Sequence, residues 1–105
     1  MLVYHVVLPE VWENFKGENS YAAESLQTEG FIHCSFAHQL DAVLERYYKN
    51  AGKVLILTID IAELRSKLIE ESSTNNEIYP HVYGEINAEA IVDVEPRIVK
   101  AETRA

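Results

Sequence analysis

Apolar residues gather along this chain in runs of strand length, with one longer stretch at helical spacing. Leu2–Leu8 is a β-branched and aromatic run closed by Pro9, the pattern of a buried strand. Pro9 suits the first turn of a helix, where its missing N–H costs nothing, and Val11, Trp12 and Phe15 give that helix one apolar face before Gly17. Residues 18–28 show no sustained period and are expected to form an irregular connection. Residues 31–35 read as a short strand. Phe36, Leu40, Val43, Leu44 and Tyr47 then fall at helical spacing, which predicts a long helix over 36–51 with Ser35 as its N-cap and Gly52 as its stop.

The second half is richer in strands. The KVLILTID run at 53–60 is continuously apolar and of strand length, so it is expected at the centre of a sheet. One helical turn is expected at 61–64, and an edge strand at 67–71, where charges bracket an apolar pair. Residues 72–77 are a polar loop, 78–84 a strand interrupted at Pro80, and 90–99 a closing strand with Pro96 at an edge or bulge. Residues 101–105 read as a frayed tail. Strands outnumber helices and do not alternate with them, so the fold class is α+β: one domain over 1–105, core about 1–99, with a mixed, mainly antiparallel sheet and one long helix.

The 105 residues are the size of one domain and support one core. A formal charge of −8, from 17 acidic and 9 unclustered basic side chains, repels phosphate backbones and anionic lipid surfaces, which argues against nucleic-acid and membrane partners. Cys34 is the single cysteine, so no intramolecular disulfide forms, and no apolar run reaches spanning length. The N-terminus shows no basic leader or cleavage site, so a cytoplasmic location is expected.

Chemistry concentrates in two segments, Glu29–Ser35 and Tyr79–Gly84. Strand alternation puts Phe31, His33 and Ser35 on one face and Ile32 and Cys34 on the other. Ile32 belongs in a core, so Cys34 is expected to be a buried hydrophobe rather than a nucleophile. His33 and Ser35 lie just before a helix start, whose free N–H groups attract phosphate or carboxylate; a capped helix with a structural histidine beside it is the alternative. His5 shares a strand face with Val3 and Val7, as a satisfied core histidine does, and becomes a ligand group if it shares a cleft with His33. In Tyr79–Gly84, Tyr83 can stack on a planar ring and Gly84 permits close backbone approach beside His81; a bent edge strand with surface aromatics is the alternative. His38 is expected to be exposed. No zinc-ligand spacing, nucleophile elbow, P-loop or dinucleotide turn occurs, so no metal is expected.

Tyr4-His5, Glu29-Gly30-Phe31-Ile32-His33-Cys34-Ser35 and Pro80-His81-Val82-Tyr83-Gly84, in this order and spacing over roughly 1–94, resemble a group of small bacterial proteins, domain-of-unknown-function family 952. That family is in turn similar to the ADP-ribosyltransferase superfamily. The resemblance implies a compact ADP-ribosyltransferase-like fold with a cleft for NAD or a related nucleotide. It implies that His5 and His33 hydrogen-bond ribose hydroxyls, with Ser35 in support. Tyr83 would lie near the nicotinamide ring, with His81 and Gly84 in the same binding segment, and Glu85 is the nearest glutamate for the transferase step.

Three readings follow. The first is an ADP-ribosyltransferase-like domain that binds NAD or a related nucleotide, with or without ADP-ribosyl or phosphotransferase activity. The second is a noncatalytic small-ligand-binding or regulatory module. The third is a thiol or metal-dependent enzyme built on His33 and Cys34.

Overall fold

The computed structural model describes residues 1–99, so the frayed tail expected at 101–105 lies outside the described residues. Strand β1 (Leu2–Val7) leads through helix α1 (Pro9–Trp12) to β2 (Ser20–Tyr21), α2 (Ser25–Thr28) and β3 (Ile32–His33). A 3₁₀ turn at Ala37–Gln39 runs into α3 (Leu40–Tyr47), and β4 (Gly52–Asp60) follows. The chain closes with β5 (Lys67–Ser72), β6 (Ile78–Tyr83), β7 (Ile86–Asn87) and β8 (Ile91–Val99). The strands pair as β1-β4-β8, β3-β6-β5 and β2-β7, all antiparallel.

The expected single mixed sheet is therefore replaced by three antiparallel ones. The ladder breaks because β3 pairs through only two residues, and beyond its end Ser35 meets β1 at one bridge, where Tyr4 and Ser35 exchange backbone bonds of 2.9 and 2.7 Å. The expected strands at 2–8, 53–60, 67–71 and 90–99 all form, with β4 central and β5 and β8 at edges. The connection over 18–28 is more ordered than its lack of period implies, since it holds β2 and α2.

Alternation along β1 and β4 builds two apolar layers. Val3 and Val7, opposite Ile59 and Leu55, face the larger core with Leu57, Ile32, Cys34, Val82 and Ile86. Val6, Val54 and Ile56 point the other way and bury Leu40 and Leu44 of α3. The long helix is only weakly realised. Ser35 is committed to its bridge with Tyr4, so the extended Phe36 takes the cap position and its N–H is accepted by Gln39 Oε1 at 3.0 Å. At the far end the helix stops at Tyr48, four residues before Gly52.

Pro80 does not interrupt β6. It lies between two strands, yet its carbonyl accepts from Cys34 N–H at 3.0 Å, which shows that its backbone polar groups face β3. The missing N–H thus falls where β3 pairing ends, and the β5 ladder runs on unbroken from Lys67 to Ser72.

Candidate functional site

A cleft of about 690 Å³ opens where the end of β1, the end of β3 and the last turn of α3 meet. His5, Cys34 and Ser35 line it together with Tyr21 and Tyr48; His33 and Glu29 line it too and are half exposed, which puts them at its rim. His5 and His33 do share one cleft, brought together by the Tyr4–Ser35 bridge.

The two histidines differ in what they can do. The His5 ring lies 2.6 Å by Nδ1 from the carbonyl of His33 and 2.8 Å by Nε2 from the Tyr21 hydroxyl. A carbonyl only accepts, so Nδ1 carries the proton and Nε2 accepts from the Tyr21 O–H. Burial pushes the His5 pKa from 6.5 down to about 4, against the bond to the His33 carbonyl. At neutral pH it is an uncharged group with both nitrogens in use, the satisfied core histidine its strand face predicts. The atom it offers a ligand is indirect: the Tyr21 oxygen, oriented by His5 and held protonated by burial. His33 Nε2, by contrast, pairs with Glu29 at 3.1 Å, a contact water can reach and a ligand can replace.

Tyr21 is the group that sequence pattern does not single out, and Glu29 enters there as the start of its segment and not as a partner of His33. Tyr21 lies in the aperiodic connection, where β2 pairing with β7, the bond to His5 and the rings of His5, Trp12 and Phe15 around it fix its place. Glu29 stands four residues before His33, and that spacing was the available signal.

Cys34 is buried beside Ile32 in the core, and burial alone raises its thiol pKa to about 12. A thiol so protonated is a poor nucleophile. Among the described residues no group of three or more His, Cys, Asp or Glu side chains is placed to hold a metal ion.

The other expected binding residues stand apart from the cleft. His81, Tyr83 and Gly84 are not in its lining. His81 pairs with His33 across the β3–β6 ladder but lies buried beneath the Phe31 ring, stacked at 4.1 Å, and donates from Nδ1 to Glu71 at 2.8 Å. Its Nε2 is buried without a partner among the described residues. Tyr83 donates to the same Glu71 carboxylate, and those two bonds, from Tyr83 first and His81 second, lower the Glu71 pKa. Gly84 serves packing: a Cβ there would stand 2.5 Å from Ser66 Oγ, which is tied to the Glu85 carbonyl at 2.6 Å. The Glu85 carboxylate accepts from Ser20 at 2.6 Å and is likewise outside the cleft lining.

The pattern of the family described as Protein of unknown function (DUF952) matches residues 6–94. The chain belongs to this family. No curated protein matches it significantly. Among solved structures, the crystal structure of protein CC0527 from Caulobacter crescentus superposes with a TM-score of 0.81 at 18% identity, covering 91% of this chain and 85% of that one. The solution NMR structure of CC0527 gives 0.75 at 19% identity, covering 89% and 81%. At such identity the likeness establishes a shared fold. For this DUF952 chain the matched residues include the cleft lining from Val6 through Tyr79, and His5 stands just before them. No helix among the described residues is long and apolar enough to cross a membrane.

Proposed function

We propose that this domain binds a small ribose-bearing ligand, a nucleoside or a nucleotide of the NAD class, in the cleft lined by His5 and His33. The observation that carries the reading is the buried His5–Tyr21 couple, which holds a phenol oxygen with its proton committed and its lone pair available, in a cleft that Ser35 also lines. Such groups recognise hydroxyl-bearing ligands by hydrogen bonds inside a mostly apolar cleft, and the volume suits a molecule of nucleoside size. The resemblance to ADP-ribosyltransferases supports the same ligand class.

Binding without transfer is favoured by a specific observation. Glu85, the glutamate that the resemblance nominates for the ADP-ribosyl step, is bonded to Ser20 and does not line the cleft. A noncatalytic ligand-binding or regulatory module accounts for the arrangement without it. Calorimetric titration and thermal shift with adenosine and NAD test the reading, since a ligand of the folded state alone raises apparent stability. Saturable binding that weakens in Tyr21→Phe and His33→Ala supports it; no heat and no shift with either compound refutes it. Hydrolysis of NAD, or its transfer to a protein or RNA acceptor, would overturn the noncatalytic part.

A further inference from the structure

The cleft carries a charge pattern of its own. Glu24 and Glu29 face it, and no Lys or Arg does among the described residues. None of residues 36–40, at the start of the helical segment, lines the cleft, and the Phe36 N–H is taken by Gln39. Arg46 approaches from outside the lining, over the Tyr47 ring at 5.7 Å and against the Tyr79 hydroxyl at 3.5 Å. That hydroxyl in turn donates to Glu77 at 3.3 Å. His33 is matched to Glu29.

A bound phosphate is held by charge-assisted bonds from Arg or Lys, or by the free N–H groups of a helix start. This lining provides neither, and its two carboxylates repel an anion. The same groups attract a cation. Tyr48, half-buried in the lining, is the tyrosine that neither burial nor Arg46 takes up, since Tyr21 and Tyr79 are buried and Arg46 already lies over Tyr47. A tyrosine ring with nearby carboxylates attracts an organic cation.

We infer that the cleft selects a phosphate-free ligand and prefers one whose ring bears a positive charge, a cationic nucleoside over a neutral one and either over a nucleotide. The inference rests on the nucleoside reading above and narrows it. The helix start that sequence pattern offers as a phosphate cradle is thereby assigned no ligand role.

Three matched compounds test it by calorimetry at low ionic strength and neutral pH: 1-methyladenosine (cationic), adenosine (neutral) and adenosine 5′-monophosphate (anionic). The expected order is 1-methyladenosine about five-fold tighter than adenosine, from the size of a cation–ring contact at a partly exposed site, with the monophosphate weakest. Raising the salt concentration should weaken the cation and leave adenosine nearly unaffected. Replacing both carboxylates, Glu24→Gln with Glu29→Gln, should bring the cation-to-neutral ratio towards one. If adenosine binds and the monophosphate binds as well or better, the inference falls while the nucleoside reading stands. Adenosine binding more tightly than 1-methyladenosine, or a ratio unmoved in the double variant, overturns the cation preference. If none of the three binds, the inference falls, and the reading above falls with it when NAD also gives no heat and no shift.

Discussion

Tyr21 and His5 meet at 2.8 Å inside the domain, sixteen positions apart in sequence, and each decides what the other can do. The phenol satisfies the one imidazole nitrogen that the His33 carbonyl leaves over, and the imidazole fixes where the phenol proton points. Tyr21→Phe removes that donor and strands a buried nitrogen. A cost of about 1–3 kcal/mol is expected, the penalty of a buried polar group left without its partner. Denaturant melts of the two proteins measure it, and an unchanged midpoint would show that Nε2 finds another donor.

The depressed His5 pKa makes stability depend on pH in a definite direction. The unfolded chain takes a proton on this ring near 6.5, the folded chain only near 4. Between these values the unfolded state binds more protons, so this contribution is complete above pH 6.5 and declines as pH falls towards 4. At about 1.4 kcal/mol per unit, the loss amounts to about 3 kcal/mol. The lowered pKa of Glu71 adds a loss of the same sign at more acid pH, below its ordinary 4.5. His5→Gln keeps a donor and an acceptor but cannot titrate, so its stability should change far less between pH 7 and 4.5 than that of wild type. Parallel pH profiles for the two proteins would falsify the assignment.

Cys34 should resist thiol reagents in the native protein. It is buried and its pKa stands near 12, so alkylation at neutral pH is expected to be slow and to accelerate on unfolding. Fast stoichiometric labelling of the folded chain would return the thiol-enzyme reading to consideration.

His33→Ala separates binding from folding. The side chain is half exposed, paired to Glu29 and edge-on to the Phe31 and His81 rings, so its loss should shift the melting curve only slightly. Ligand affinity should fall by about 0.5–1.5 kcal/mol, the usual net value of one hydrogen bond. A collapse in stability with affinity intact would make His33 a structural residue only.

Gly84→Ala tests the packing role given to that glycine. The new methyl would meet Ser66 Oγ, itself held by the Glu85 carbonyl, and a destabilisation of about 1–3 kcal/mol is expected from overpacking. Ser66→Gly in the same chain should recover only the packing part, because the Gly84 φ of 158° disfavours a side chain whatever the space. If Gly84→Ala folds with wild-type stability but binds ligand poorly, the glycine belongs to the site after all.

Periodicity alone marks most of this fold. β4 announces itself by an unbroken apolar run, β5 and β8 by charges and a proline fit for edges, and Ile32 with Cys34 by alternation, because each of these follows from which face of one segment must leave water. Family membership was also legible, since the GFIHCS string and its companions are local. What tertiary structure decided is everything that depends on pairing between distant segments. A two-residue β3 divides the sheet, a bridge from Tyr4 to Ser35 removes the expected helix cap, and the β2–β7 pair delivers Tyr21 to His5 while Ser20 holds Glu85 outside the lining. No local pattern encodes these, because a hydrogen bond across sixteen or more residues leaves no period in the chain. Whether a histidine is a rim group or a satisfied core group, as with His33 and His5, is set by burial and by the partners the fold supplies.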